Sequence, residues 1–321
     1  MDRCDNRLSF AAAKKKVLCV GNTVVDCISI VKKFPEPSKP EKCGNSFWQR
    51  GGTAANTATV LQNLGVSTEI FVMLSTNPMF ELMLHDLRLR GIETGNCPRD
   101  ESNPPFSLVF LTKESNTCTI TNCTSKFPYV TLEDFKKLDL NKYGWIHFRG
   151  REPDVTTSMM ELVAAHNAKH KEKKIFMSMD VTMELTNLWP MLDLCDFAFF
   201  SKQLATMYGW PKTREACRRL DDLFRQRNSK NRPYSVFLWG SQGAGLLDQD
   251  GNYVRMHAYK IKRVVDGLGA GDAFVAAFIY AMYVRERSVT VAATFANRMA
   301  AHKCTKFGFD HLADILKNPE L

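Results

Sequence analysis

None of the ten cysteines stands in a C-x-x-C pair. Cys19, Cys27 and Cys195 lie in apolar stretches and read as small buried hydrophobes of a reducing compartment, so disulfides are not expected. No run of about 18 uncharged apolar residues occurs, which leaves no candidate for a membrane-spanning helix. A secretory pattern is also missing: Leu8–Ala13 is too short an apolar core, and the charges follow it. The expected location is cytoplasmic. There is no Walker loop of the form GxxxxGK[ST], and no H-R-D or D-F-G set, which removes two classes of kinase. His166 and His170 have i,i+4 spacing but no adjoining acid, so no metal site of the protein's own is expected. Internal repeats and low-complexity segments are absent.

What is present is enough for one large domain with a small appendage: 321 residues, 45% of them apolar. Lys+Arg 43 against Asp+Glu 34 leaves +9. Much of the excess lies in Lys14–Lys16, Lys169–Lys174 and Lys212–Arg232. Phe224 is the one aromatic residue within these runs, so they read as solvated faces and a tail rather than a nucleic-acid surface. A mildly basic protein also suits an anionic nucleotide.

Residues 1–16 read as a flexible tail. Val17–Val20, ending at Gly21, has the continuous apolar character of a buried parallel strand. Val24–Val31 continues extended, with Asp26 inside it. After the prolines at 35, 37 and 40, Lys42–Arg50 returns as a strand. Phe106–Thr112 and Thr117–Cys123 form a hairpin around Glu114-Ser115-Asn116. These four strands fit poorly into a βα alternation and are grouped as a separate small sheet. Elsewhere strands alternate with helices: Thr68–Met73, Met79–Arg90, Trp145–Phe148, Val155–His170, Ile175–Met179, Leu185–Leu194, Phe197–Phe200, Lys212–Asn228, Ser235–Leu238, a hairpin about Asp250-Gly251, and the helices Ala273–Tyr283 and Val289–His302. The fold class is therefore α/β, with a mostly parallel central sheet and helices on both faces. Ligands of such sheets sit at the carboxyl ends of the strands, where Gly21, Gly52, Gly240 and Gly269 can converge.

The chain is organised around Val264-Val265-Asp266-Gly267-Leu268-Gly269-Ala270-Gly271-Asp272, which opens the apolar run from Ala273. The first turn of a helix has N–H groups without internal partners and carries partial positive charge. Gly269, Ala270 and Gly271 let a phosphate approach those amides. Asp272 is the acid at that mouth and can take the proton of an attacking hydroxyl, although on chemistry alone it reads equally well as a helix N-cap. About 200 residues earlier, Gly51-Gly52-Thr53-Ala54-Ala55-Asn56 places small residues and an amide at the start of another helix. Tight helix packing explains that stretch about as well as contact with a polyol does.

Residues 266–272 resemble the D-T-x-G-A-G-D signature of the ribokinase-like (PfkB) carbohydrate kinases, and Gly51–Asn56 resembles their G-G-N-x-x-N motif. The resemblance extends from about Val17 to Phe309. It is closest to the ketohexokinase branch, which phosphorylates fructose, through Leu18-Cys19-Val20-Gly21, Val25-Asp26, Trp48–Gly52, Trp145-Ile146-His147, Phe200-Ser201-Lys202, Lys303-Cys304 and Gly308-Phe309-Asp310.

The resemblance implies a ribokinase-like kinase domain (17–23, 51–105 and 124–321) and a β-lid (24–50 and 106–123) that clasps a homodimer. It implies Asp272 as catalytic base and Gly269, Ala270 and Gly271 as anion hole. Asp26, Gly52, Thr53 and Asn56 would hold the sugar. Cys118, Trp239, Gly240, Ser241, Gln242 and Gly243 would lie by the nucleotide. ATP, Mg2+ arriving with it, and a monovalent cation such as K+ near Asp266 complete the set. The expected reaction makes fructose 1-phosphate; another small polyol or a nucleoside as acceptor, or a weakened nucleotide- or sugar-binding protein, are the alternatives. Four positions depart from the pattern: Thr53 for Asn, Gly267 for Thr, Cys118 for Arg and Arg149 for an acid. The helix dipole is expected to keep Asp272 ionised.

Overall fold

The computed structural model describes residues 14–39, 42–115, 117–123, 127–182, 185–229 and 231–317. In chain order the first strands are β1 (Lys16–Val20), β2 (Val24–Val31), β3 (Asn45–Gly51), β4 (Thr68–Phe71), β5 (Leu74–Ser75), β6 (Arg99–Asp100), β7 (Phe106–Thr112) and β8 (Thr117–Cys123). They continue with β9 (Tyr143–Arg149), β10 (Phe176–Val181), β11 (Phe197–Ser201), β12 (Tyr234–Leu238), β13 (Ala244–Leu247) and β14 (Tyr253–Met256). The helices are α1 (Thr53–Asn63), α2 (Glu81–Leu89), α3 (Leu132–Phe135), α4 (Pro153–Lys169), α5 (Trp189–Leu192), α6 (Lys202–Met207), α7 (Thr213–Gln226), α8 (Ala270–Ile279) and α9 (Val289–Lys303).

The central sheet runs β14-β13-β12-β11-β10-β9-β1-β4, parallel from β4 to β12 and antiparallel over its last two strands. Strand β1 is buried on both faces, as its unbroken apolar sequence requires. Val17 and Cys19 face the core shared with α1, α8 and α9, whereas Leu18 and Val20 face the core shared with α4 and α7. Helix α8 is apolar all round because it lies between neighbours: Phe274 and Phe278 meet Phe199 edge-on. The second sheet, β3-β2-β7-β8, is the separate small sheet expected from the four unplaced strands, and resembles a lid.

The local differences have physical causes. Residues 185–194 form a 3-10 turn, Leu185–Asn187, and the short α5 rather than one helix, because Pro190 suits only a helix start. The strand from Thr68 stops at Phe71, and the chain then pairs β5 with β6. Helix α6, started by the Ser201 hydroxyl accepting from the Leu204 N–H, was not foreseen. The helical run expected from Ala273 begins at Ala270 and widens into a π-turn over Tyr280–Val284. There the Tyr283 hydroxyl reaches the Lys15 carbonyl at 3.1 Å. Of the expected tail, residues 1–13 lie outside the described residues, whereas Lys16 starts β1 and Lys14 pairs with Glu286. The basic runs sit on exposed faces, with ion pairs such as Arg225–Asp221 and Lys174–Asp196.

Candidate active site

Strand β3 ends at Gly51 and the chain turns at Gly52 into α1. Gly52 has φ +93, and a Cβ there would lie 2.5 Å from the Asn22 carbonyl oxygen, so only glycine lets the two turns touch. Thr53 is the first helical residue and donates its hydroxyl to Asn22 Oδ1 at 3.3 Å. One turn on, Asn56 is buried and its Nδ2 donates to Asp272 Oδ2 at 2.8 Å. Two stretches more than 200 residues apart thus meet side chain to side chain.

Helix α8 is capped by Gly269 in the left-handed region, with φ +77, and Asp272 is its third helical residue. The N-cap position thus belongs to Gly269, and Asp272 stands inside the first turn. A Cβ on Gly269 would stand 2.5 Å from the Phe309 ring. The Ala270 N–H donates to the Gly267 carbonyl at 3.3 Å, whereas the N–H groups of Gly271 and Asp272 have no acceptor among the described residues. A side chain on Gly267 would meet open space, so nothing here requires glycine at that position.

The Asp272 carboxyl lies above its ordinary value but below neutral pH, in keeping with the ionised form expected of it. Burial pushes it up to about 6; the Asn56 hydrogen bond, Arg149 and His147 pull down, and Asp180 pushes up. Desolvation outweighs the dipole because the group is half-buried against the sheet. Asp26 behaves alike. It lies on β2 between Gln49 of β3 and Ser107 of β7, and burial raises it to about 6 against the hydrogen bonds of those two neighbours. Its carboxylate fills the space that a Cβ on Gly51 would need.

On the lid, Cys118 shares the sheet face of Asp26, is exposed, and offers no cation. Phe47 of the same sheet meets Phe307 of the body edge-on, with ring centroids 6.0 Å apart. Beyond β12, Gly240, Ser241 and Gln242 form an exposed 3-10 turn closed by the Gly243 N–H on the Gly240 carbonyl at 2.9 Å. Trp239 is 2% exposed and packs in the core shared with α4 and α7. Arg149 ends β9; its guanidinium has no acceptor among the described residues.

A monovalent cation beside Asp266 does not fit. Lys303, 0% exposed, places its ammonium on Asp266 Oδ2 and donates to the Asp266 carbonyl at 3.2 Å. The same carboxylate accepts the N–H groups of Gly308 at 3.2 Å and Leu268 at 3.0 Å, so the cation there is the chain's own. Among the described residues no group of three or more His, Cys, Asp or Glu could hold a metal ion. Two residues were given no role by sequence reasoning. Lys303 entered it only as part of the Lys303-Cys304 pair that carries the resemblance. Arg50, buried at 6%, was visible only as a charge next to Gly51-Gly52.

The pfkB family carbohydrate kinase pattern matches residues 14–315. The chain is 31% identical to ketohexokinase of Mus musculus over 299 residues, covering 92% of this chain and 98% of that one. It is 24% identical to a nucleoside kinase of Methanocaldococcus jannaschii, covering 84% of each. Among solved structures, the ribokinase of Giardia lamblia superposes with a TM-score of 0.79 at 15% identity, over 94% of this chain and 100% of that one.

Proposed function

The chain belongs to the pfkB family of carbohydrate kinases and is an ATP-dependent phosphotransferase acting on a sugar hydroxyl; from that premise we propose that it phosphorylates the 1-hydroxyl of fructose with Asp272 as base. The observation that carries the reading is the 2.8 Å contact between Asn56 and Asp272, which joins the polyol-type motif to the acid beside the free amides. Asp26, Gly52, Thr53 and Asn56 orient the sugar. The attacking hydroxyl gives its proton to Asp272, which is ionised above about pH 6. The amides of Gly271 and Asp272, with Gly269 and Ala270 shaping the turn, receive charge on the transferred group. The exposed turn Gly240–Gln242, with Gly243, takes the nucleotide. Mg2+ bound to ATP would neutralise phosphate charge; it enters as part of that substrate. The lid excludes water, limiting ATP hydrolysis.

Fructose is favoured by the identity with the mouse ketohexokinase along nearly its whole length. Arg149, with no acidic partner among the described residues and its charge felt at Asp272, is the feature that favours another acceptor, such as a different polyol or a nucleoside. The kinase domain comprises 17–23, 51–105 and 124–321. The lid, 24–50 and 106–123, clasps a second copy: its outer face carries Trp48, Cys27 and Leu108 in one row across three strands, with Trp48 57% exposed. Among the described residues no helix is long and apolar enough to cross a membrane.

Coupled ADP release across fructose, other sugars and nucleosides tests the acceptor. Fructose should give the largest sugar-dependent rate. Asp272→Asn should keep its thermal shift with ATP and lose sugar-dependent ADP release. Normal turnover by that variant would remove Asp272 from the role.

A further inference from the structure

Arg50 is the penultimate residue of β3 and is buried at 6%. All three nitrogens of its guanidinium are engaged. Nε donates to Asp86 Oδ2 at 2.6 Å, Nη2 to Thr59 Oγ1 at 2.6 Å, and Nη1 to Asn56 Oδ1 at 3.2 Å. Asp86 is held in turn by Arg90 Nε at 2.9 Å, and Thr59 donates to the Ala55 carbonyl at 2.8 Å. Arg50 makes no contact with Asp272, yet Asn56 stands between them.

The geometry points to Arg50 as a positioning residue for the base: its guanidinium fixes the Asn56 amide so that the NH2 group, and not the carbonyl, faces Asp272. A side-chain amide has two ends of nearly equal shape and opposite hydrogen-bonding character. A guanidinium can only donate, so it accepts the carbonyl end as its neighbour and rejects the NH2 end. With the ends reversed, the Asn56 oxygen would oppose the Asp272 carboxylate, and its NH2 would oppose a cation. A donor on the carboxylate favours the ionised form, the form a base needs. The other groups that face Asp272 are Cys19 of β1, His147 and Arg149 of β9, Asp180 of β10 and Lys303 of α9. None of them touches the Asn56 amide.

This rests on the reading of Asp272 as base, so the test reads the carboxyl itself as well as turnover. The variant is Arg50→Lys, which keeps a buried cation beside Asp86 but cannot span Asp86, Thr59 and Asn56 together. Two quantities are followed against pH: the carboxyl carbon resonance of Asp272 in aspartate-labelled protein, assigned by its loss in Asp272→Asn, and kcat with fructose and MgATP. In Arg50→Lys both midpoints should rise by roughly half a pH unit or more, with a lower kcat plateau and unchanged thermal stabilisation by ATP. If Arg50 serves only as a buried partner for Asp86, lysine replaces it and both midpoints stay at the parent value; that result overturns the proposal. Arg50→Met, which removes the charge as well, should shift the resonance further, and a folded Arg50→Met with the parent midpoint would overturn it too. Turnover by Asp272→Asn would sink the base assignment alone, because the resonance still reports whether Arg50 sets the carboxyl's environment.

Discussion

Burial and the hydrogen bond from Asn56 act on Asp272 in opposite directions, and the balance sets a testable pH profile. With the carboxyl raised to about 6, kcat should fall about tenfold per unit below that value and level off above it. The sign for stability runs the other way. A carboxyl whose folded value lies above its unfolded one favours the native state while protonated and loses that contribution as the pH rises through the folded value. Asp272→Asn should therefore be inactive yet melt about 2 °C or more higher at pH 7.5, with the gain vanishing below pH about 4, as scanning calorimetry would read. A lower melting temperature at pH 7.5 would contradict it. The identities of Asp272, Asn56 and Asp26 were legible from residue type and motif. The upward shift of the Asp272 carboxyl was not, because a dipole argument sees the helix end but not how much water the fold removes from it. Arg50 stayed hidden for a related reason: its three acceptors, on α1 and α2, are brought together only by folding.

Helix α8 supplies a tip rather than a face, and an ion pair aims it. Asp266, four residues before Ala270, is buried against Lys303 at the end of α9, and the backbone N–H of Val265 donates to the Cys304 carbonyl at 2.7 Å. Lys303→Met would leave the Asp266 carboxylate buried without a cation, which costs roughly 3–5 kcal/mol when one partner of such a pair is removed. Urea denaturation should show that loss, and Lys303→Met should also bind ATP more weakly, because the loop that opens the amides is no longer pinned. Unchanged stability would mean that Asp266 is solvated. Gly269→Ala is the second check on this element: it meets the Phe309 ring and an unfavourable φ together, so activity should fall by more than tenfold while far-UV circular dichroism stays native. The element itself was plain in the sequence, since an apolar run after a glycine-rich turn has few other readings. Its π-turn was not, because that turn answers to the packing of Tyr283 against Gly144 and not to any local signal.

The lid and the central sheet were separable in the sequence by the failure of four strands to alternate with helices. Strand order was not legible, because it depends on which crossover passes over which face. At this scale the proposed clasp makes the clearest prediction. Trp48→Glu places a charge at the β3 end of the exposed row on the lid, so sedimentation should find monomers where the parent chain sediments as a dimer, with α/β secondary structure intact. A parent chain that sediments as a monomer would remove the clasp. The meeting of Asn56 with Asp272 has a consequence in time as well as in space. A nascent chain leaves the ribosome from its amino end, and the lid strands and β1 to β12 are all translated before Asp266 and Asp272. Until α9 has emerged, Lys303 is not there to pair with Asp266 and pin the loop that leads into the α8 tip, so that tip is among the last parts of the crevice to be fixed.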